Sequence, residues 1–520
     1  MNIKSKLVQK TLLFFICKIF ILITLLFSSC TKKEELTNSI TKDVFASEIN
    51  QLKDYFQIPG LSILIKNDNE IIYEDYLGFA NISDKTPLDK TTTIPMASLT
   101  KIFSGIVLMQ LEEEDILSIE ESIKKYIPSI GISDSIKIKH ILSHTSQGEI
   151  GKQFYYSNRF GLLTSVIEKV AGQTFEEVIN TRIINKLQLK NTYLLKDSLQ
   201  LVSENRKIAS PYFLGGEMKN GFLEKTPREG FIDYGFSASA GITSTVIDLG
   251  ILSDALDNNT LISNSSKEKM TSPFNNKLPY GLGIFTQKFM NKKLQWGYGQ
   301  YDCYSSLFLK VPDKNLTFII AANNNLMSDP ARLINGDVTT SLFALSFLKN
   351  YVFNLPEISL FEEEQSLGTL KNKISDTNSE FYRKKLIAQL SAESYMSRFD
   401  DTKTTFSKKI LNQLFELFPE YENYGDLNLL FNLQFLKLIT TMRDQPELVD
   451  FDVQYQKIGK KLLSEDSNNP YANYYMANYY QMKNDIDSTS HFYHKIIDAK
   501  NFSPWWYTNE AEQWIKSNKN

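Results

Sequence analysis

Ile94-Pro95-Met96-Ala97-Ser98-Leu99-Thr100-Lys101 runs directly into an apolar stretch where Ile102, Phe103, Ile106, Val107, Met109 and Leu111 recur at helical spacing. Pro95 discourages helix before it, so the pattern predicts a helix whose first turn holds Ser98. Positions i and i+3 of a helix share a face, which sets the Lys101 amine one turn beyond the Ser98 hydroxyl and within hydrogen-bond reach. A serine hydroxyl is a weak nucleophile at neutral pH and needs both a base and donors for the oxyanion formed on attack. Lysine meets the first need. Unpaired N–H groups at the helix start, that of Ser98 among them, meet the second.

Spacing alone decides little, since Ser39…Lys42, Ser122…Lys125 and Ser266…Lys269 repeat it on what reads as solvated surface. Tyr156-Ser157-Asn158 has equally plain counterparts in Tyr421-Glu422-Asn423 and Tyr471-Ala472-Asn473. Order supplies the information. The Ser98 phrase, then Ile141-Leu142-Ser143-His144-Thr145-Ser146, then Tyr155-Tyr156-Ser157-Asn158, resembles the serine β-lactamase and penicillin-binding-protein family in its class C-like branch. Ser239-Ala240-Gly241-Ile242-Thr243-Ser244-Thr245, Tyr280-Gly281-Leu282-Gly283 and Trp296-Gly297-Tyr298-Gly299-Gln300, leading into Ser305-Ser306-Leu307, continue the likeness. It covers roughly residues 44–350.

The resemblance implies an α+β fold: an antiparallel sheet flanked by helices, with an all-helical subdomain meeting it at Ser98. It also implies acyl transfer through a covalent intermediate, with Ser98 as nucleophile, Lys101 as the amine that readies it and Tyr156 as proton shuttle. Asn158 is the position that bonds the substrate's acyl amide, although it could equally cap the helix that follows. A phenol serves as a base only where nearby cations lower its pKa from about 10.

Two departures from the family pattern bear on activity. The third motif, Lys or His, any residue, then Gly, falls on Gly297-Tyr298-Gly299, so the cationic position is glycine. Gly299 and the Gln300 N–H still permit a strand that completes the oxyanion hole and pairs with substrate. The missing charge argues against substrates with a free carboxylate, penicillins included, and favours esters and amides without one. The second departure is the short interval from His144 to Tyr156, where relatives carry a longer loop; it predicts a more open cleft. His144 itself reads as a structural residue.

With 520 residues and 42% hydrophobic content the chain can bury several cores, and a formal charge of −3 gives no reason to expect a polyanion. No basic stripe interleaves with aromatics, so nucleic acid is not among the expected partners. Four histidines include one His-x-x-His pair, His491 and His494, with nothing to complete a metal set; the chemistry calls for no metal or organic cofactor.

Lys4, Lys6 and Lys10 precede an apolar run from Leu12 to Phe27, closed by Ser28-Ser29-Cys30. Residues 1–30 resemble a bacterial lipoprotein signal with Cys30 as the lipidated residue; an uncleaved membrane anchor is the alternative. Residues 31–43, beginning Thr31-Lys32-Lys33-Glu34-Glu35, read as a charged linker holding the enzyme off the membrane. The expected location is the cell envelope, lipid-anchored and facing outward or into the periplasm. Cys303 then remains a lone thiol.

Past residue 350 glycine becomes scarce and apolar residues recur at intervals of three and four, which predicts an all-helical extension over 351–468. Within 469–520, Ala472, Met476, Ala477, Tyr480, Thr489, Tyr493 and Ile496 fall where a tetratricopeptide repeat carries small and aromatic residues, with a turn at Asn484-Asp485. One repeat cannot bury its own faces, so it is expected to cap the preceding helices or the enzyme. Its role is either a stabilising appendage or a platform for a protein partner, and a surface cluster of Trp505, Trp506 and Tyr507 would favour the platform. The reading as a whole is a serine hydrolase acting on a small-molecule or peptide substrate: an ester, an amide, a D-amino-acid peptide or a β-lactam. Its alternative is a non-catalytic binding lipoprotein that recruits a partner through its helical tail.

Overall fold

Strand β1 (Gly60–Asn67) is buried along all but its last residue, as expected of a central strand with both faces covered. The computed structural model describes residues 41–219, 222–360, 366–420, 426–443 and 451–518. The leader, Cys30, Ser39 and the Tyr421–Asn423 motif lie outside these. β1 pairs antiparallel with β2 (Glu70–Asn81), which carries the short β3 (Thr86–Pro87). On the other side come β4 (Phe285–Phe289), β5 (Lys292–Tyr301), β6 (Tyr304–Val311) and β7 (Leu316–Ala322), in the spatial order β4-β5-β6-β7-β1-β2-β3. All ladders are antiparallel. β4 reaches only Trp296 of β5, so from Gly297 onward β5 is laddered on one side and its other edge is open.

Period-two alternation divides the sheet between two cores. Ile63, Ile65, Phe318 and Ile320 face helix α1 (41–55), whereas Leu64, Ile319, Ala321 and Phe308 face α2 (Thr100–Glu113) and α3 (Val246–Asp257). The predicted helix after Pro95 is therefore present, entered through a single 3-10 turn over Ala97–Leu99. Every residue of α2 from Thr100 to Leu111 is buried, which explains why its apolar pattern is broad rather than a stripe.

Helix α4 (Leu342–Phe347) closes the first core, and the helical extension continues it. α5 (Ser379–Met396), α6 (Asp401–Leu417), α7 (Leu427–Met442) and α8 (Phe451–Glu465) precede a hairpin of α9 (Pro470–Met482) and α10 (Ile486–Ile497), then α11 (Trp506–Ser517). Asn484 makes the hairpin turn with φ of 57°, a left-handed conformation that asparagine tolerates. Phe381 on α5 packs against Phe289 of β4 and Phe353, with ring centroids 6.1 and 6.4 Å away, so the extension and the sheet share one continuous core. Among the described residues no helix is long and apolar enough to cross a membrane.

Candidate active site

The turn before α2 sets the site. Ala97 takes φ of 46°, a left-handed conformation unusual for a residue with a Cβ, and so turns Ser98 toward the cleft. The Thr100 hydroxyl donates to the Ala97 carbonyl at 2.7 Å and accepts from the Ile242 N–H at 3.0 Å, while the Met96 N–H donates to the Ile242 carbonyl at 2.8 Å. The Ser239–Thr245 phrase thus clamps the Ser98 turn from below.

Lys101 donates to the Ser98 hydroxyl and to the Ser239 carbonyl, each at 2.9 Å. The amine is buried and lies 5.0 Å from the centre of the Tyr156 ring and 5.4 Å from that of Phe160. No carboxylate of the described residues pairs with it, and burial lowers its pKa to about 7. The Tyr156 phenol is also buried; burial pushes its pKa well above the ordinary tyrosine value, with the facing Ser98 hydroxyl pulling the other way. At neutral pH the site therefore holds a protonated phenol and an amine divided between its charged and neutral forms.

His144 sits behind the phenol as a spacer. Its ring stacks on Tyr156 at 4.3 Å, and its Nδ1 accepts from the Ser157 N–H at 3.0 Å. Burial and the nearby Lys101 keep it neutral, consistent with a positioning part rather than a base. This hydrogen bond, across thirteen positions of sequence, ties the two phrases together.

Tyr298 and Gln300 of β5 line a cleft of about 340 Å³ together with Ser98 and Tyr156. Gly297 and Gly299 alternate to the opposite face, over the start of α2. A Cβ on Gly299 would meet the Met96 carbonyl oxygen at 1.9 Å, so only glycine lets β5 lie against the nucleophile's turn. A Cβ on Gly297 would meet Ile102 and Leu99 at 2.9 and 3.0 Å. The space a family cation would traverse is occupied by these apolar side chains.

Asn158 lies at the surface, where its amide donates to the Pro504 carbonyl at 3.5 Å, and it makes no hydrogen bond with Lys101. Three features were not legible in the motifs. Ser239 contributes a carbonyl, which no side-chain pattern reveals. Arg332, held at 3.4 Å from Asp329 and stacked 3.9 Å over the Phe431 ring of α7, lines the cleft from a segment with no motif at all. Trp505 also lines it, so the three aromatics near position 506 are split: Tyr507 is buried, Trp506 exposed and Trp505 half-buried at the cleft.

Residues 45–337 match the family model described as Beta-lactamase. Penicillin-binding protein 4* of Bacillus subtilis (strain 168) is 25% identical over 311 residues, which span 50% of this chain and 67% of that protein. Protein flp of Staphylococcus aureus (strain MW2) is 24% identical over 52% of this chain and 60% of its own length. Among solved structures, the octameric penicillin-binding protein homologue from Pyrococcus abyssi superposes with a TM-score of 0.51 at 20% identity, covering 66% of this chain and 81% of that one, and agrees in fold. With more than half of its residues inside the matched stretch and the motifs gathered around Ser98, the chain belongs to the beta-lactamase family of serine hydrolases.

Proposed function

We propose that the protein hydrolyses an ester or amide through a Ser98 acyl-enzyme. The observation that carries this reading is the Lys101 amine at 2.9 Å from the Ser98 hydroxyl, buried without a carboxylate partner among the described residues. Neutral Lys101 takes the serine proton as Oγ bonds to the substrate carbonyl carbon. The oxyanion falls to the N–H groups of Ser98 and Gln300. As the C–O or C–N bond breaks, the leaving group takes the Tyr156 proton, and the Lys101 ammonium restores it. In the second half a water adds to the acyl carbon, gives its proton to Lys101 and releases Ser98, which recovers that proton.

Substrates without a free carboxylate are favoured for two reasons. Leu99 and Ile102 fill the approach that a cation at position 297 would need. The cleft is also lined by Asp233, Asp302 and Asp329 against one guanidinium, that of Arg332, which Asp329 already engages. We further propose lipid anchoring at Cys30 and a location in the cell envelope, testable by metabolic labelling with a fatty-acid probe that Cys30→Ser should abolish.

A fluorophosphonate should label the protein, a fluorescent penicillin with its free carboxylate more weakly, and neither should label Ser98→Ala. If neither labels the wild type, the binding-lipoprotein reading replaces this one. Wide preference for a D-Ala-D-Ala peptide over simple esters would overturn the substrate argument.

A further inference from the structure

The helical tail reaches back to the catalytic cleft. Residues 501–505, just before α11, lie along the Ser143–Asn158 loop that carries the tyrosine motif, and far outside the stretch the family model matches. Arg159, next in sequence to Asn158 and buried, is the anchor: its Nε donates to the Ser503 hydroxyl at 2.7 Å, Nη2 to the Asn501 carbonyl at 3.1 Å, and Nη1 to the Ser146 carbonyl at 2.7 Å. From the other side, the Asn501 amide donates to the Ser146 and Gly148 carbonyls at 3.2 Å each. The Ser503 N–H donates to the Gln147 side-chain oxygen at 2.7 Å. Phe502 packs on Tyr155 with ring centres 5.0 Å apart, and the Tyr155 hydroxyl bonds Asp466 at the end of α8.

This contact occupies the side of the cleft where the short His144-to-Tyr156 interval predicts an opening. The lip is present, built from a segment more than 340 residues away in sequence. The segment ends at Trp505, which lines the same cavity as Ser98, Tyr156 and Tyr298.

We propose that residues 501–505 are the missing lip of the active site and that Trp505 is a specificity-determining residue, accepting a flat apolar group of the substrate. The inference rests on the Ser98 hydrolase reading. An indole and the Tyr298 ring offer aromatic contact, and aromatic pairs attract beyond the area they bury. The groups that pin the segment are polar and largely enclosed, which holds the indole in one place instead of leaving it on a free loop. The Asn158 amide lies 3.5 Å from the Pro504 carbonyl, at the exposed rim of the same wall.

Three methyl-or-benzyl esters test this in the full chain: methyl acetate, methyl phenylacetate, with the ring on the acyl side, and benzyl acetate, with the ring on the leaving side. For Trp505→Ala the preference for one of the two ring-bearing esters over methyl acetate should fall ten-fold or more in kcat/KM, carried mainly by KM, and Trp505→Phe should restore most of it. Arg159→Ala, which releases the segment, should lower the same preference and speed proteolysis near residue 501. Equal losses on all three esters, or an unchanged preference in both variants, would overturn the proposal and leave the tail as support. Fluorophosphonate labelling of Ser98 separates this from failure of the hydrolase reading: a wild type that neither labels nor turns over any ester removes the premise and the proposal with it, whereas a labelled Trp505→Ala protein with unaltered preference defeats the tail inference alone.

Discussion

The lysine beneath Ser98 and the lysines where the tail meets the sheet domain sit in contrasting company. Beneath Ser98, Lys101 meets a hydroxyl, a carbonyl and two ring faces, and burial brings its pKa to about 7. Where the tail meets the sheet domain, Lys384 of α5 donates to Asp337 at 2.5 Å; burial presses its pKa down, but Asp337 and Asp426 outweigh it and the result is raised. Nearby Lys349 is fully buried against Glu48 and the Ile358 carbonyl, with Ser346 and Asn350 completing the carboxylate's bonds. Lys349 and Lys384 each meet a carboxylate, whereas the Lys101 amine meets none among the described residues, so no opposite charge offsets the effect of burial beneath Ser98.

The largest effect should come from removing the base. Lys101→Met is expected to lower kcat/KM on an ester by about 10³-fold, in the range that general-base removal produces, while leaving the melting temperature equal or higher because an unpaired buried amine is lost. Steady-state kinetics and calorimetry on one preparation check both; a destabilised Lys101→Met would break the contrast. Glu48→Ala should do the reverse, costing about 3–5 kcal/mol in denaturant unfolding by leaving the Lys349 ammonium without its partner, with little change in KM of the folded fraction.

The pH profile sharpens the same difference. Lys101 has a folded pKa of about 7, below its unfolded value near 10.5. Between these values the unfolded chain binds more protons, so this residue makes stability rise with pH from about 7 to about 10.5, and Lys101→Met should flatten that segment. Ester kcat/KM should climb about ten-fold per pH unit below 7 and level off above it, as the amine loses its proton. A profile that rises only above pH 10 would assign the base to the phenol instead. The smallest effect expected is Ala97→Gly, which relieves the left-handed strain before the nucleophile and should add about 1 kcal/mol of stability, read by urea unfolding.

What sequence could and could not disclose follows from range. The α2 helix, the Ser98–Lys101 proximity and the helical character of the tail are local, set by periodicities within a dozen residues, and each was legible. The antiparallel sheet came through the resemblance, because β1 and β7 are apolar runs on both faces and carry no alternation to read. Gly297 could be seen as a missing cation, but not that Leu99 and Ile102 had taken its room, since that is a contact across the sheet. Asn158 was expected to face substrate and instead bonds Pro504, and the short lip was expected to leave a gap that residues 501–505 cover. Both differences arise from a segment that no local pattern relates to the cleft.

The Arg159–Ser503 bond joins residues 344 positions apart. During synthesis Ser98, Lys101 and the whole sheet can be assembled while this wall has not yet been made. On the proposed function, a half-finished chain would hold Ser98 with an incomplete filter, and full selectivity would arrive only when the late helices dock. Cutting the chain ahead of residue 501 would, by the same logic, broaden what the proposed hydrolase accepts without touching Ser98, Lys101 or Tyr156.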